Sequence, residues 1–382
     1  MLWFWWRDRL KTCPSTVFIL FFYSQERVCC MRILITMALF LLFVNRAVFA
    51  LGECGLACSL SGSTISEVTF GDKFGLSLQY VYTKMETIRD GDSRIGSNTL
   101  LDKVASEWPD MPEGSKSFTI PTRMIMQKYT ITGSYAATDR LQFLVSVPYL
   151  INDMDMKMRM RHQMDGEHFM DMDMKMEMET VEGLGDISIM GLYSLRENEI
   201  DRPAERLMVG FGLKTPTGKN DENTDSGNRV HAMMQLGTGS WDPLFLVNYM
   251  REFSPFVLQG NLLYQLTTAG DEGYEFGDQI SLDISARYPV NKYISPGLEL
   301  NGLHTGSNND HDNNFSRPET SLLDNPDNTG ITAFYVTPLV NVKIPKTGCS
   351  TDLKFQYPLY QHVRGIQQVV DWRIMASVVW NF

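Results

Sequence analysis

Beyond residue 50, this 382-residue sequence contains no apolar run approaching the roughly 20 residues that a membrane-spanning helix needs. A helical membrane bundle is therefore excluded, and a mean hydropathy of −0.17 agrees. A basic surface is lacking too. The chain has 34 Lys and Arg against 45 Asp and Glu, a formal net charge of −11. With no cationic stripe to neutralise phosphates, no nucleic-acid partner is expected. Cysteine is scarce: of six, only Cys54, Cys58 and Cys349 follow residue 50. They cannot supply a four-ligand zinc spacing, and GxSxG, HExxH and P-loop motifs are absent. His162, His168, His231, His304, His311 and His362 fall in loops or at strand ends, and no Ser/His/acid grouping assembles around them. The sequence argues against an enzyme, and no motif requires a cofactor.

The N-terminus reads as targeting. From Met31 the chain runs MRILITMALFLLFVNRAVFA, with a basic residue, an apolar centre and Val48-x-Ala50. This is the pattern of a secretory signal over 31–50, cleaved after Ala50. Residues 1–30 have no globular pattern and read as an over-extended start. An inner-membrane anchor at 14–22 would have too few residues to span. Residues 51–72 form a periplasmic N-terminal segment. In an oxidising compartment Cys54 could pair with Cys58, although spacing alone does not prove it. Glu53 before Cys54 departs from the context of a lipid-anchored cysteine.

From residue 73 to the end, apolar and polar residues alternate with period 2. Trp372, Ile374, Ala376, Val378, Trp380 and Phe382 share one face of the last segment, and Asp371, Arg373, Met375, Ser377 and Asn381 lie on the other. Twelve such segments are expected near 73–84, 123–135, 139–151, 184–195, 205–215, 240–252, 255–267, 278–290, 292–303, 331–344, 350–360 and 370–382. Most are long enough for a tilted bilayer crossing, for which about 9–11 residues suffice. Links after the even-numbered segments are mostly short, whereas those after the odd-numbered ones are long and polar, with a moderate link after the eleventh. Tyr80, Tyr82, Tyr135, Tyr149, Tyr193, Tyr249, Tyr288, Trp241 and Trp380 fall near segment ends, where aromatic girdles belong. The expected fold is all-β: an antiparallel transmembrane β-barrel of about 12 strands over 73–382, with long outer loops and one extended Met-rich hairpin. Such a barrel belongs in the outer membrane of a Gram-negative bacterium, with membrane lipid as its surroundings.

Two resemblances add to this. The ending Trp380-Asn381-Phe382 resembles the signal by which outer-membrane proteins are recognised by the barrel-insertion machinery. Three motifs, Gly183-Leu-Gly-Asp-Ile-Ser-Ile-Met-Gly191, Gly210-Phe-Gly-Leu-Lys-Thr-Pro-Thr-Gly218 and Gln235-Leu-Gly-Thr-Gly-Ser-Trp-Asp242, occur in order. Together they resemble the outer-membrane transporters grouped under the meta-pathway of phenol degradation. The resemblance implies a barrel that passes small, hydrophobic or aromatic molecules, and it assigns no site residue. Physically, the glycines suit close backbone approach, and Pro216 ends a strand because it cannot donate to the ladder.

The least ordinary stretch is Met154-Asp-Met-Lys-Met-Arg-Met160 and its echo Met170-Asp-Met-Asp-Met-Lys-Met-Glu-Met178. Ten of the 23 methionines lie between 154 and 178, all at even positions. In the flanking segments odd positions are apolar and outward, so even positions face the lumen and the methionines continue that side. A three-residue loop at Met164-Asp165-Gly166 gives pairs whose numbers sum to 330, setting Arg159 opposite Asp171 and Lys157 opposite Asp173. A sum of 332 sets Lys157 against Lys175 and Asp155 against Glu177, so 330 is the expected register. It brings Met160, His162, His168 and Met170 together, a donor set suited to Cu(I) or another soft metal ion. The competing reading is apolar packing against neighbouring loops or contact with a hydrophobic ligand, since Met is an adaptable filler.

Two functions follow as expectations. One is a passive outer-membrane channel or transporter for a small-molecule permeant. The other is a soft-metal-binding surface protein that uses hairpin 154–178, with the barrel as its anchor.

Overall fold

In the computed structural model, the described residues are 73–108, 115–163, 169–197, 204–224, 227 and 229–382. The expected start, signal peptide and N-terminal segment, the Cys54–Cys58 pairing and His168 lie outside them. Cys349 is disulfide-bonded. The strands are β1 (Phe74–Asp90), β2 (Ser93–Ile95), β3 (Lys116–Ala136), β4 (Leu141–Gln163), β5 (Phe169–Glu177), β6 (Val181–Leu184), β7 (Ser188–Glu197), β8 (Glu205–Lys214) and β9 (Asp242–Phe253). Then come β10 (Phe256–Gln265), β11 (Tyr274–Glu275), β12 (Gln279–Arg287), β13 (Ile294–Thr305), β14 (Asn309–Asp310), β15 (Ile331–Ile344), β16 (Cys349–Val363) and β17 (Ile366–Asn381). The helix α1 (Ser97–Ser106) lies between β2 and β3.

Twelve strands close into one antiparallel barrel, in the cyclic order β1-β3-β4-β7-β8-β9-β10-β12-β13-β15-β16-β17, with β17 paired back onto β1. The seam is finished at the chain end, where Phe74 and Phe382 exchange backbone hydrogen bonds of 3.0 and 2.9 Å. Closure leaves no sheet edge, so the wall satisfies its own backbone groups and can stand in hydrocarbon. Among the described residues no helix is long and apolar enough to cross a membrane; the strands do the crossing.

Alternation decides which side chains meet lipid. Phe143, Val145 and Tyr149 of β4, Ile280, Leu282 and Ile284 of β12, and Leu353, Phe355 and Tyr357 of β16 are exposed on the outside, while their neighbours in sequence are buried in the lumen. Aromatic rings gather at both ends of the wall. Phe74 lies 5.3 Å from Tyr135 and Phe256 lies 5.5 Å from Tyr288 at the end with the chain termini, and Phe211 lies 5.4 Å from Phe245 towards the other. An apolar exterior between two aromatic girdles, with short turns at one end and long loops at the other, is the outer-membrane type of barrel.

The twelve expected segments all occur, with shifted ends. β16 and β17 are longer than their alternation suggests, and the moderate link expected between them is only Arg364-Gly365, a turn with Gly365 at φ +66°. β3 and β4 also run well past the membrane, because the hairpin pairs beyond the barrel wall.

In this hairpin the expected register is corrected. β4 and β5 pair with residue numbers summing to 332: Arg159 faces Asp173 and Arg161 faces Asp171. The like-charge pairs that spoke against this register are relieved by a diagonal partner within the hairpin and by groups outside it. Lys157, directly opposite Lys175, reaches diagonally to Asp173 at 2.5 Å and donates to Asn98 of α1 at 2.7 Å. Asp155, opposite Glu177, is held by Arg123 of β3 at 2.5 Å. The two direct pairs are bidentate, Arg159 to Asp173 at 2.7 and 3.1 Å and Arg161 to Asp171 at 2.7 and 2.8 Å. Such forks are among the stronger ion pairs and fix geometry as well as energy. A bulge between Pro121 and Arg123 turns Phe118 and Ile120 onto the charged face of β4, where they pack with Leu100 and Leu101 of α1. The helix therefore covers the charged face of the hairpin and leaves the methionine face open.

The ion pairs give a pH prediction. Hydrogen bonds from Arg159 and then Lys157 hold the Asp173 carboxyl down at about 2. A depressed carboxyl stabilises the folded hairpin above the ordinary Asp range, near 3.9, and this contribution is lost as pH falls through about 2. Carbon-13 titration of Asp173 is expected to show this low midpoint. Arg159→Ala should move it up towards the ordinary range, whereas an unchanged midpoint would contradict the assignment.

Candidate functional site at the barrel mouth

The lumen has two unlike walls. Along β9 to β17 a belt of buried polar residues crosses the middle. Asn301 bonds Asp283 and Glu299 at 2.7 Å each, Thr337 at 2.6 Å and Gln356 at 3.0 Å. Lys354 pairs with Glu299 at 3.0 Å, and Arg373 donates to Gln356 at 2.8 Å and lies 5.4 Å from the Tyr335 ring. These side chains are nearly inaccessible, with Arg373 only 2% exposed, so the belt narrows the lumen at this height. Along β4 to β9 the inner wall also carries an apolar cluster, with Leu144, Met190, Leu192, Met208 and Leu244 packed together.

Above the belt, the described parts of the loop after β8, 215–224 and 229–241, fold inward over the mouth. Its short 3-10 turn Ala232–Met234 buries Met234 completely, and the Met234 carbonyl accepts from Asn152 Nδ2 at 2.7 Å. Two glycines permit this path. A Cβ on Gly237 would lie 2.2 Å from the Gly218 carbonyl oxygen, and one on Gly218 would lie 2.7 Å from Gly237 Cα. A second loop, 306–330, is latched to the first, His231 Nδ1 standing 2.5 Å from the buried Asp324.

The three quoted sequence motifs meet at this point. Asp186 comes from the first, Lys214 and Gly218 from the second, and Thr238 and Asp242 from the third. Lys214 Nζ lies 3.1 Å from Asp186 and 2.7 Å from Asp242, and all three are almost entirely buried. Asp186 also accepts from the Gly218 amide at 2.9 Å and from the Thr238 amide and hydroxyl at 2.9 and 2.8 Å. Asp242 accepts from Gln265 at 2.9 Å and from the Thr268 amide at 3.1 Å. The network therefore ties the inward loop to the ends of β7, β8 and β9. Sequence reasoning took these motifs as glycine architecture and missed their charges. The readable signal was a lysine and an aspartate at lumen-facing positions of alternating strands.

Between this network and the inward loop is a cavity of about 200 Å³. Met126, Leu150, Met233, Leu236 and Phe276 give it apolar walls, and Lys214, Asp186, Gln265 and Asn308 stand on the polar side. Its volume is of the order of the ~150 Å³ that accommodates one benzene ring in an engineered protein cavity.

The four candidate metal residues are not assembled as expected. Met160 faces Met172 and His162 faces Met170, because the register is 332. His162 Nδ1 is 3.0 Å from Ser115 Oγ, and His168 lies outside the described residues. What the structure forms is a ladder: Met156 opposite Met176, Met158 opposite Met174 and Met160 opposite Met172. At its inner end Met154 and Met156 are buried with Met85, Met124, Met126 and Met234 in the mouth. Towards the tip Met170, Met172, Met174 and Met176 are exposed by 38–49%. The acidic stretch Asn308–Asn314 is partly structured. β11 pairs with β14 there, and buried Asp310 accepts backbone amides from Asn314, Phe315 and Ser316. Among the described residues no group of three or more His, Cys, Asp or Glu is arranged to hold a metal.

Residues 127–358 match the family described as "Putative MetA-pathway of phenol degradation". No curated protein matches the chain. Among solved structures, an outer membrane channel from Pseudomonas putida F1 is similar at 14% identity and a TM-score of 0.49, covering 82% of this chain and 96% of that one. A Pseudomonas aeruginosa FadL homologue is similar at 9% identity and a TM-score of 0.40, covering 81% and 91%. The toluene transporter TodX of P. putida gives 9% and 0.39, covering 86% and 95%.

Proposed function

This chain belongs to the family of the MetA-pathway of phenol degradation, and on that premise we propose that it is a passive outer-membrane channel for small, largely apolar molecules, single-ring aromatics among them. The cavity of about 200 Å³ inside the mouth carries this reading. Its volume suits one substituted ring, its apolar side suits the ring face, and the Lys214–Asp186 side suits one polar substituent such as a hydroxyl. The family description, which concerns phenol degradation, points the same way. The protein supplies a route and a transient binding place, with no chemical step. In this reading Phe382, half-exposed and 5.0 Å from Trp380, is the feature by which the insertion machinery recognises the chain.

The experiment is single-channel recording in planar bilayers. Small discrete conductances are expected, because the polar belt narrows the lumen. Phenol added on the outer-loop side should reduce them by occupying the cavity. A lumen that never conducts, or a current indifferent to phenol, would overturn the proposal.

A further inference from the structure

We propose that the methionine ladder of β4 and β5 is a binding site for a soft monovalent cation, Cu(I) or Ag(I). The site is centred on Met158, Met160, Met172 and Met174, two neighbouring rungs of directly opposed thioethers. Opposed residues of an antiparallel pair place their Cβ atoms about 4.5–5.5 Å apart, and the next pair on that face lies about 7 Å along the strands. Methionine's unbranched, flexible side chain can close gaps of this size, so thioethers from two rungs can converge on one ion. Thioether sulfur is uncharged and soft, and it selects Cu(I)-like ions over hard cations.

Three observations favour sulfur chemistry over a merely apolar face. First, the other large apolar side chains exposed among the described residues are Phe, Tyr, Trp, Leu, Ile and Val; the four exposed methionines all lie on β5. Secondly, the ladder stands beyond the bilayer, since the same strands carry Lys157, Arg159, Arg161, Asp171 and Asp173 on their other face. Lipid therefore does not explain its exposure. Methionine is also not among the residues that strands prefer, so β-propensity does not explain four consecutive even positions on β5. Thirdly, the surroundings suit a cation: six Asp and Glu stand against four Lys and Arg between 154 and 178. The ladder also continues inward to Met154, Met156, Met124, Met126 and Met85, so a captured ion has further thioethers between the tip and the cavity.

This site differs from the quartet expected from the sequence, which needed His168 and the 330 register. It stands apart from the channel reading, because its test measures binding and not conductance. Ag(I), which needs no reductant, is titrated calorimetrically into the purified full-length protein in detergent, without chloride or thiols. Saturable binding is expected. Changing Met158, Met160, Met172 and Met174 together to Leu should weaken it by roughly tenfold or more, since Leu keeps the apolar area and removes the soft donor. Equal binding by the Leu variant, or none by the wild type, overturns the proposal. Loss of all binding on His162→Ala alone overturns it too, because the site would then be the imidazole. Should the Leu variant fail to fold, methyl-13C-methionine spectra of the wild type decide. Ag(I) should shift a subset of methionine methyls and leave buried Met208 and Met190 unmoved. Uniform shifts, or none, count against the ladder.

Discussion

Lys214→Met is expected to destabilise the barrel by about 3–5 kcal/mol, the range for removing one partner of a buried ion network. Lys214 is the cation between Asp186 and Asp242 at 3.1 and 2.7 Å, and the two carboxylates are 7% and 1% exposed. Methionine keeps most of the volume and none of the charge. The carboxylates retain their amide donors from Gly218, Thr238 and Thr268. Two negative charges would then share a poorly hydrated corner with nothing to balance them. The measurement is denaturant unfolding of the refolded barrel in lipid or detergent. Adding Asp242→Asn to Lys214→Met should recover part of the loss, because one uncompensated charge is then gone. A single-variant cost below about 1 kcal/mol, typical of an exposed pair, would mean that water screens the network. Because the same residues hold the inward loop, the variant should also loosen the mouth. Its conductance should then lose sensitivity to phenol.

The second large effect is expected at Arg373. It is one of the largest fully buried side chains, and it projects inward from β17, donating to Gln356 on the neighbouring β16 and lying against the Tyr335 ring of β15. Arg373→Ala removes the bulk that closes the belt at that point. It also removes a cation from a layer that holds Asp283, Glu299 and Asp352. Conductance should rise several-fold, and the reversal potential in a salt gradient should shift towards cation selectivity. Arg373→Lys should restore selectivity more than conductance, since it returns the charge without the planar guanidinium. Unchanged current in Arg373→Ala would show that the constriction lies elsewhere.

Much of the architecture was legible because a half-lipid, half-lumen strand must alternate with period 2. Phe143, Val145 and Tyr149 point outward and Gln142, Leu144 and Ser146 inward, as their alternation required. The number of strands and the polarity of the two barrel ends followed from the same pattern and from loop length. The end of β16 was less legible. Above the bilayer both faces of a strand meet water or loops, so the apolar signal fades while pairing continues.

The register of the methionine hairpin shows where pairwise reasoning stops. Counting only β4 against β5, a sum of 330 has the better charge matching. The folded protein brings in Arg123 from β3, which pairs with Asp155, Asn98 from α1, which accepts a hydrogen bond from Lys157, and Asp102 from α1, a second partner for Arg159. Those partners lie 30 to 60 residues away in the chain, and no local pattern announces them. The convergence of Asp186, Lys214 and Asp242 was hidden in the same way. Each sits in a motif that is readable by itself, and only closure of the barrel and the infolding of segments 215–224 and 229–241 put them within hydrogen-bonding distance. The sequence by itself determined the alternation, and with it the barrel, its lipid face and the single face shared by the methionines, because each depends on neighbours one or two residues away. Tertiary structure decided the register, the buried charge network and the cavity, because each depends on electrostatics and packing between segments that meet only when the sheet has closed.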